Sequence, residues 1–313
     1  MLVRLGYVSI TKTIDEISSF RALNYTNYMK DININNINKI IDKNLDILSH
    51  IIDYNIKNNI HFYRITSALI PLATKDDVIF DYITPFIDKY EEIKNKISNS
   101  NMRVDMHPNE YAVLNSNRKE VVASAFKILA YHSDIMNILN INNPILILHV
   151  GSSAMGKKKS ITRFKNNFLK LPSDTKKMIA VENDDKVYDI EDTLSLCEEL
   201  NIPMVLDYHH YICNKGNIDL KNYLPRIFKT WNTTPKMHFS TPKSNNKKDF
   251  RSHNDYINVD NFIEMLNIIK NYTPNIDIMI EAKMKDVALF RLIRELKYKS
   301  NYKFIDETTF IVD

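Results

Sequence analysis

The sequence predicts a (β/α)8 TIM barrel, one domain spanning residues 1–313, and three observations carry that prediction. Short β-branched runs recur along the chain, and amphipathic stretches with apolar residues at three- and four-residue steps separate them. Polar residues that can bind metals gather at the ends of those runs, where a barrel of this kind builds its active site.

The runs, in order, are VRLGY (3–7), HFYRI (61–65), RVDMH (103–107), PILILHV (144–150), MIAVE (178–182), PMVLD (203–207), PKMHF (235–239) and IDIMIE (276–281). Between them lie helical patterns such as ILSHIIDYNIKNN from Ile47 and VVASAFKILAYHSDIMNILN from Val121. Eight strands in strict alternation with helices fit a barrel. A doubly wound open sheet is the rival, but it usually has a glycine-rich phosphate turn after its first strand, and none is present. The four glycines, Gly6, Gly151, Gly156 and Gly216, fall at strand ends or in the loops just after them. No linker or composition shift marks a second domain. Abundant Asn, Ile and Lys, as in DININNINKIIDKN from Asp31, read as a compositional bias, because the isoleucines keep an amphipathic spacing.

Composition narrows the class. An apolar fraction of 44% and a charged fraction of 26% are those of an ordinary globular protein. Lys plus Arg exceeds Asp plus Glu by 42 against 38, so a polyanionic partner must be argued from local clusters. Cys197 and Cys213 match no zinc-ribbon or CxxC spacing and suggest no disulfide scaffold. The N-terminus MLVRLGYVSI lacks a signal peptide's apolar segment, and no apolar run approaches the roughly 20 residues of a membrane span. A cytoplasmic monomer with no membrane partner is expected.

The strand ends read Tyr7, His107, His149, Glu182, Asp207, His238 and Glu281, and His210 and His253 follow in the loops after strands six and seven. For any single histidine the bland alternative, a hydrogen-bonded residue where a strand meets a loop, is the better reading. Clustered carboxylates converging on one mouth are another matter, because their repulsion and desolvation are costly without a cation. Imidazole and carboxylate without thiolate suit Mn²⁺, Zn²⁺ or Fe²⁺ better than Ca²⁺ or Mg²⁺. The ligand set leaves room for more than one ion, the usual equipment for phosphodiester hydrolysis. Lys236 and His238 stand two apart on a strand, so both point into the barrel. From spacing alone, Lys236 pairs with Glu182 or Glu281.

Two basic runs, GKKKSITRFK (156–165, with Lys157 and Lys158) and KSNNKKDFR (243–251, ending in Arg251), lie on the expected active-site face. A charge run is usually a solvated surface, but two flanking a metal mouth would hold a phosphate backbone. Tyr7 and Tyr111 sit near the same mouth, where either can stack on a base or pack in the core.

LGY at Leu5, RITSALIPLA from Arg64, MHPNEY from Met106, LHVGS from Leu148, VEND from Val181, DYHH from Asp207, KMHFS from Lys236 and EAK from Glu281 together resemble the ultraviolet damage endonuclease family, in order over about 1–285. The resemblance implies a repair endonuclease that nicks double-stranded DNA immediately 5′ to pyrimidine dimers, 6-4 photoproducts and some abasic sites, leaving a 3′-hydroxyl and a 5′-phosphate. It implies two or three divalent ions, Mn²⁺ first and Zn²⁺ or Mg²⁺ as alternatives. Their ligands would be His107, His149, Glu182, Asp207, His210, His238, His253 and Glu281, with Glu182, His238 and Lys236 acting in catalysis. It also implies that Lys236 can be carboxylated, which replaces the ion-pair reading. The family's Gly-Gln after His-Pro is Asn109-Glu110 here, followed by the aromatic Tyr111, and Ala68 stands where some members carry histidine. Asn109, Glu110 and Tyr111 are thus the expected lesion contacts, with an anion where the family has an amide. The D-x-x-H spacing selects His210 as the ligand and leaves His209 as a supporting donor or a phosphate contact. An apurinic endonuclease of the endonuclease IV type, a xylose-type sugar isomerase and a non-cleaving binder of damaged DNA remain as alternatives.

Overall fold

The computed structural model describes residues 1–14 and 19–313. Eight parallel strands are present: β1 (Leu2–Val8), β2 (Phe62–Ile65), β3 (Arg103–Met106), β4 (Ile145–His149), β5 (Ile179–Glu182), β6 (Met204–Asp207), β7 (Lys236–Phe239) and β8 (Asn275–Ile280). Each pairs with the next in chain order, and β1 pairs with both β8 and β2, which closes the cylinder. The expected strands are all found, each within a residue or two of its expected bounds.

Alternation along the strands divides their side chains between two cores. Leu146 and Leu148 of β4 join the main core between barrel and helices, whereas Ile145 and Ile147 pack with Ala180, Val205 and Trp231 inside the barrel. Phe62 and Met279 meet Val8 in a second interior cluster. Charged groups share this interior. Fully buried Asp277 accepts two bonds from Arg4, at 2.6 and 2.7 Å, and one from Arg103 at 2.6 Å.

The outer layer follows from helical periodicity. In the helix Ile34–Lys57, Ile37, Ile41, Leu45, Leu48 and Ile52 form one buried stripe, and the Asn33 side chain accepts from Asn35 N to cap the first turn. Among the described residues no helix is long and apolar enough to cross a membrane.

Two features depart from the sequence reading. Residues Tyr208–Asn214 form a short helix, not a loop, because Asp207 caps it by accepting from His210 N at 2.7 Å. A C-terminal hairpin, β9 (Lys303–Phe304) and β10 (Thr309–Ile311), is additional to the eight expected strands. Its place follows from the barrel's stagger. β1 meets β8 over Leu2–Tyr7 but β2 only from Gly6, so Leu2–Arg4 would present a free edge, and β10 pairs there antiparallel.

Gly6 lies within β1, and a Cβ there would stand 2.2 Å from the Phe62 carbonyl oxygen, on the strand that closes the barrel. Backbone offers no side-chain relaxation, so Gly6→Ala should lower stability by about 1–3 kcal/mol. Urea denaturation with an unchanged midpoint would contradict this.

Candidate metal centre at the barrel mouth

Glu182, the last residue of β5, is the hub of the upper barrel and is buried to 1% exposure. Its Oε1 lies 2.8 Å from His238 Nδ1 and 3.4 Å from His210 Nδ1; its Oε2 lies 3.1 Å from His107 Nε2 and 3.8 Å from His149 Nε2. Glu281, just beyond β8, lies 3.3 Å from His238 Nδ1 and 4.0 Å from His253 Nδ1. Asp207 Oδ2 is 3.8 Å from His210 Nδ1 and 3.9 Å from His238 Nδ1. All eight sequence-predicted ligands are thereby brought to one mouth. Three subsets place one ligand atom per residue within 4.8 Å of one another: His107, His149 and Glu182; Glu182, Asp207 and His210; Asp207, His238 and Glu281.

Six of the eight side chains have a local reason for their position. Registered pairs put His149 beside Glu182 and Asp207 beside His238 on neighbouring strands. Asn183 clamps the tips of β5 and β6: its side chain donates to Asp207 O at 3.0 Å and accepts from Asp207 N at 2.9 Å. The Asn183 carbonyl lies 2.9 Å from His210 Nδ1, which fixes a proton there and leaves Nε2 free to ligate. His253 arrives on a loop folded back on itself, with Lys243 N donating to Ser252 O and Asn254 N to Thr241 O.

The residues fit a divalent cation. Asp207 Oδ2 and His149 Nδ1 are buried and lack a hydrogen-bond partner among the described residues, in a cluster of oxygen and nitrogen donors. Burial opposes ionisation of Glu182, but His238 and His149 outweigh it and hold the carboxyl well below its usual range. Burial pushes Asp207 the other way, and the charges of Glu182 and Glu281 add to the rise. Burial also disfavours the His210 cation, yet Asp207 and Glu182 draw it up to about 11.

Three groups supporting this mouth escaped the sequence reading. Arg64 on β2 donates to Glu281 at 2.6 Å, to Asp105 at 3.1 Å and to His238 Nε2 at 2.5 Å. That leaves the proton of neutral His238 on Nδ1, from which it is donated to Glu182 at 2.8 Å. Asp105 on β3 is the second group, and it corrects the expected partner of Lys236. The Lys236 ammonium bonds to Asp105, not to Glu182 or Glu281, and sits over the Phe62 ring. Burial, with Arg64 and Arg103 nearby, lowers Lys236 to about 7 despite Asp105. Asn183 is the third.

The model of the family described as UV-endonuclease UvdE matches residues 3–309. The chain belongs to the UV-endonuclease UvdE family. It is 39% identical over 303 residues to a UV DNA damage endonuclease of Bacillus cereus (strain B4264), covering 95% of each chain. It is 38% identical over 316 residues to the UV DNA damage endonuclease of Bacillus mycoides (strain KBAB4), covering 99% of each. The crystal structure of SacUVDE superposes with a TM-score of 0.86 at 31% identity, over 95% of this chain and 98% of that one. Endonuclease IV from Thermus thermophilus, at 13% identity and a TM-score of 0.56 over 81% of this chain and 95% of that one, shares the fold.

The expected DNA contacts of this UvdE-family chain are placed unevenly. Tyr111 is 67% exposed, and Asn109 and Glu110 beside it are also exposed, with Asn109 Oδ1 accepting from Tyr111 N. Lys157 pairs with Asp192 at 2.5 Å, Arg251 approaches Asp185 at 3.5 Å, and Lys158 is exposed. Tyr7 is corrected: it is fully buried and its hydroxyl bonds to Thr11 and Asn55 in the helical layer, so it has no face to offer a base. His209 is also buried, against Phe250 and His253, which excludes a phosphate contact and makes it a prop for the His253 loop.

Cations and protons compete for the same atoms, so ligation should expel the protons held on His210 and Asp207. Calorimetric titration of Mn²⁺ in buffers of different ionisation enthalpy should show proton release near neutral pH, and apparent affinity should rise with pH. Binding without proton release would refute this electrostatic account.

Proposed function

We propose that the chain nicks double-stranded DNA immediately 5′ to cyclobutane pyrimidine dimers and 6-4 photoproducts, and at some abasic sites, leaving a 3′-hydroxyl and a 5′-phosphate. The observation that carries the reading is the convergence of eight imidazole and carboxylate side chains, Glu182 at their centre, at the mouth of a UvdE-family barrel. His107, His149, Glu182, Asp207, His210, His238, His253 and Glu281 would hold two or three divalent ions, with Mn²⁺ favoured over Zn²⁺ and Mg²⁺. Bound there, the ions supply positive charge to the phosphoryl and leaving oxygens and acidify the attacking water.

The chain's own residues do the rest. Glu182 holds the imidazoles in place, and Arg64 keeps Glu281 turned towards His238. Lys157, Lys158 and Arg251 would bind the phosphate backbone. Tyr111, Asn109 and Glu110 stand at the exposed rim, where they would meet the lesion. A carboxylate at Glu110 accepts hydrogen bonds and cannot donate them, so its contacts must differ from those of an amide.

Lys236 enters this reading as a carboxylated lysine. Its neutral amine would add to CO₂ and lose a proton, giving an anionic carbamate. That group would repel Asp105, which would then lean on Arg64 alone. Loading with ¹³C-bicarbonate should give a carbamate carbonyl resonance that Lys236→Ala abolishes; a spectrum without it would leave Lys236 as the ion-paired amine.

Purified protein with Mn²⁺ should nick ultraviolet-irradiated duplex at defined lesions, and intact strands under those conditions would sink the proposal. Glu182→Ala and His238→Ala should each lower nicking by roughly two orders of magnitude or more. Preference for abasic over dimer-containing duplex in competition would favour the apurinic alternative.

A further inference from the structure

The loop after β8 carries a lysine in an unfavourable setting. Lys285 begins the helix Lys285–Lys299, where the macrodipole disfavours a cation, and its φ of 51° is left-handed, which costs about 1–2 kcal/mol for a residue with a Cβ. Strain of this kind persists only where the surroundings enforce it, and it gathers at functional sites. Here they do enforce it. Lys283 N donates to Asn254 O and Met284 N to Asp255 O, both at 3.1 Å, which ties the segment to the loop bearing His253. Asp286 next door is buried and accepts from Lys12 N at 2.6 Å and Tyr54 hydroxyl at 3.0 Å, which ties it to the loop after β1.

The corner faces a cleft of about 240 Å³ lined by Lys283 and Lys285 together with Arg64, His107, His253 and Glu281. The cleft is therefore shared between candidate metal ligands and the two lysines. Lys89, Lys96, Lys157 and Lys165 each sit on an Asp or Glu carboxylate; among the described residues Lys285 makes no such pair. The nearby Glu281 is already engaged by Arg64 at 2.6 Å. Burial, with Arg64 and Lys12, lowers the Lys285 ammonium pKa, so a second anion would be welcome there.

We propose that this corner, with Lys285 at its centre and Lys283 and Lys12 beside it, takes up the backbone phosphate next to the one that is cut. Lys285 is then a substrate-positioning residue. The proposal rests on the reading of the chain as a DNA endonuclease and adds a phosphate subsite on the side of the mouth opposite the Lys157 and Lys158 loop.

Lys285→Asn tests it, because asparagine tolerates the left-handed backbone while removing the charge. With the Mn²⁺-loaded enzyme and a single-lesion duplex, KM should rise roughly tenfold with kcat within about twofold. The slope of log affinity against log salt should fall by about 1, and Lys285→Arg should restore both. A scan of single methylphosphonate linkages on the wild type should find one neutralised phosphate beside the cut that weakens binding equally, with no further loss in Lys285→Asn. Wild-type affinity and salt slope in Lys285→Asn, or losses that add at every linkage, would overturn the subsite. Should that variant fail to fold, a wild-type scan with no sensitive neighbouring linkage would overturn it as well. Wild-type enzyme that leaves the duplex intact would instead refute the nuclease reading.

Discussion

Three carboxylates meet at the mouth of this barrel, Glu182 and Asp207 at the ends of β5 and β6 and Glu281 just beyond β8, and they cannot all be ionised there without positive charge between them. Two like charges about 4 Å apart repel by roughly 4 kcal/mol near a protein surface, and burial removes the water that would soften this. The chain supplies part of the answer itself, in Arg64 against Glu281 and in the His210 imidazolium beside Glu182 and Asp207. The remainder shows in protonation. Asp207 is pushed up while Glu182 is held down, so neighbouring carboxyls are driven apart by their surroundings. A cluster poised this way can exchange protons for divalent cations, which would supply the concentrated positive charge that phosphodiester chemistry needs.

What keeps that cluster in place is the layer beneath it. Asp105 bonds both Lys236 and Arg64, and Arg64 reaches up to Glu281 and His238. Below these, Asp277 draws Arg4 and Arg103 together across the barrel floor. The interior is thus three tiers of charge packed among Phe62, Met279, Ile147 and Val205. A buried charge that loses its partner costs several kcal/mol, so each tier locks the rotamers of its neighbours. The candidate ligands at the ends of β5, β6 and β7 are therefore held by the barrel itself, whereas His253 is held by a hydrogen-bonded loop.

This organisation was legible in the sequence wherever a single rule sufficed. Short β-branched runs marked the eight strands, the rule that barrel sites gather at strand ends singled out His107, His149, Glu182, Asp207, His238 and Glu281, and the family resemblance added His210 and His253 to the expected ligands. The alternation that aligns Lys236 below His238 also aligns Asp105 below His107, but a lone aspartate inside RVDMH gives no sign of its partner, which lies 131 residues away. Arg64 was hidden for the same reason, since its three partners, Asp105, His238 and Glu281, come from in or beside three other strands. Tyr7 misled because it ends a strand in the wrong phase. Gly6 presses against the Phe62 backbone, and Tyr7 turns outward to Asn55 on the helix Ile34–Lys57. The β9–β10 hairpin has strands of two and three residues, too short to show any period. The pair His209 and His210 divides by helix geometry: Asp207 caps the turn, His210 faces the mouth, and its neighbour faces the packing beneath.

The rim obeys a different logic from the centre. The loops after β3 and β4 are buckled together: Asn115 Nδ2 donates to Ser152 O at 2.6 Å, and Arg163 donates to Asn115 O at 2.7 Å and to Ala154 O at 2.6 Å. Gly151 is needed at this buckle, because its φ is 106° and a Cβ would meet Asn115 Oδ1 at 2.6 Å. These bonds fix where Tyr111 and Lys157 stand without involving any metal ligand. The exposed Asn109 and Glu110 side chains make no bond to the cluster around Glu182 among the described residues. A change of residue type at those two positions therefore alters what the rim touches and leaves the cation-binding atoms where they are. At this part of the rim the exposed side chains are mechanically separate from the buried cluster, so a departure from the family pattern at Glu110 leaves the groups around Glu182 in place.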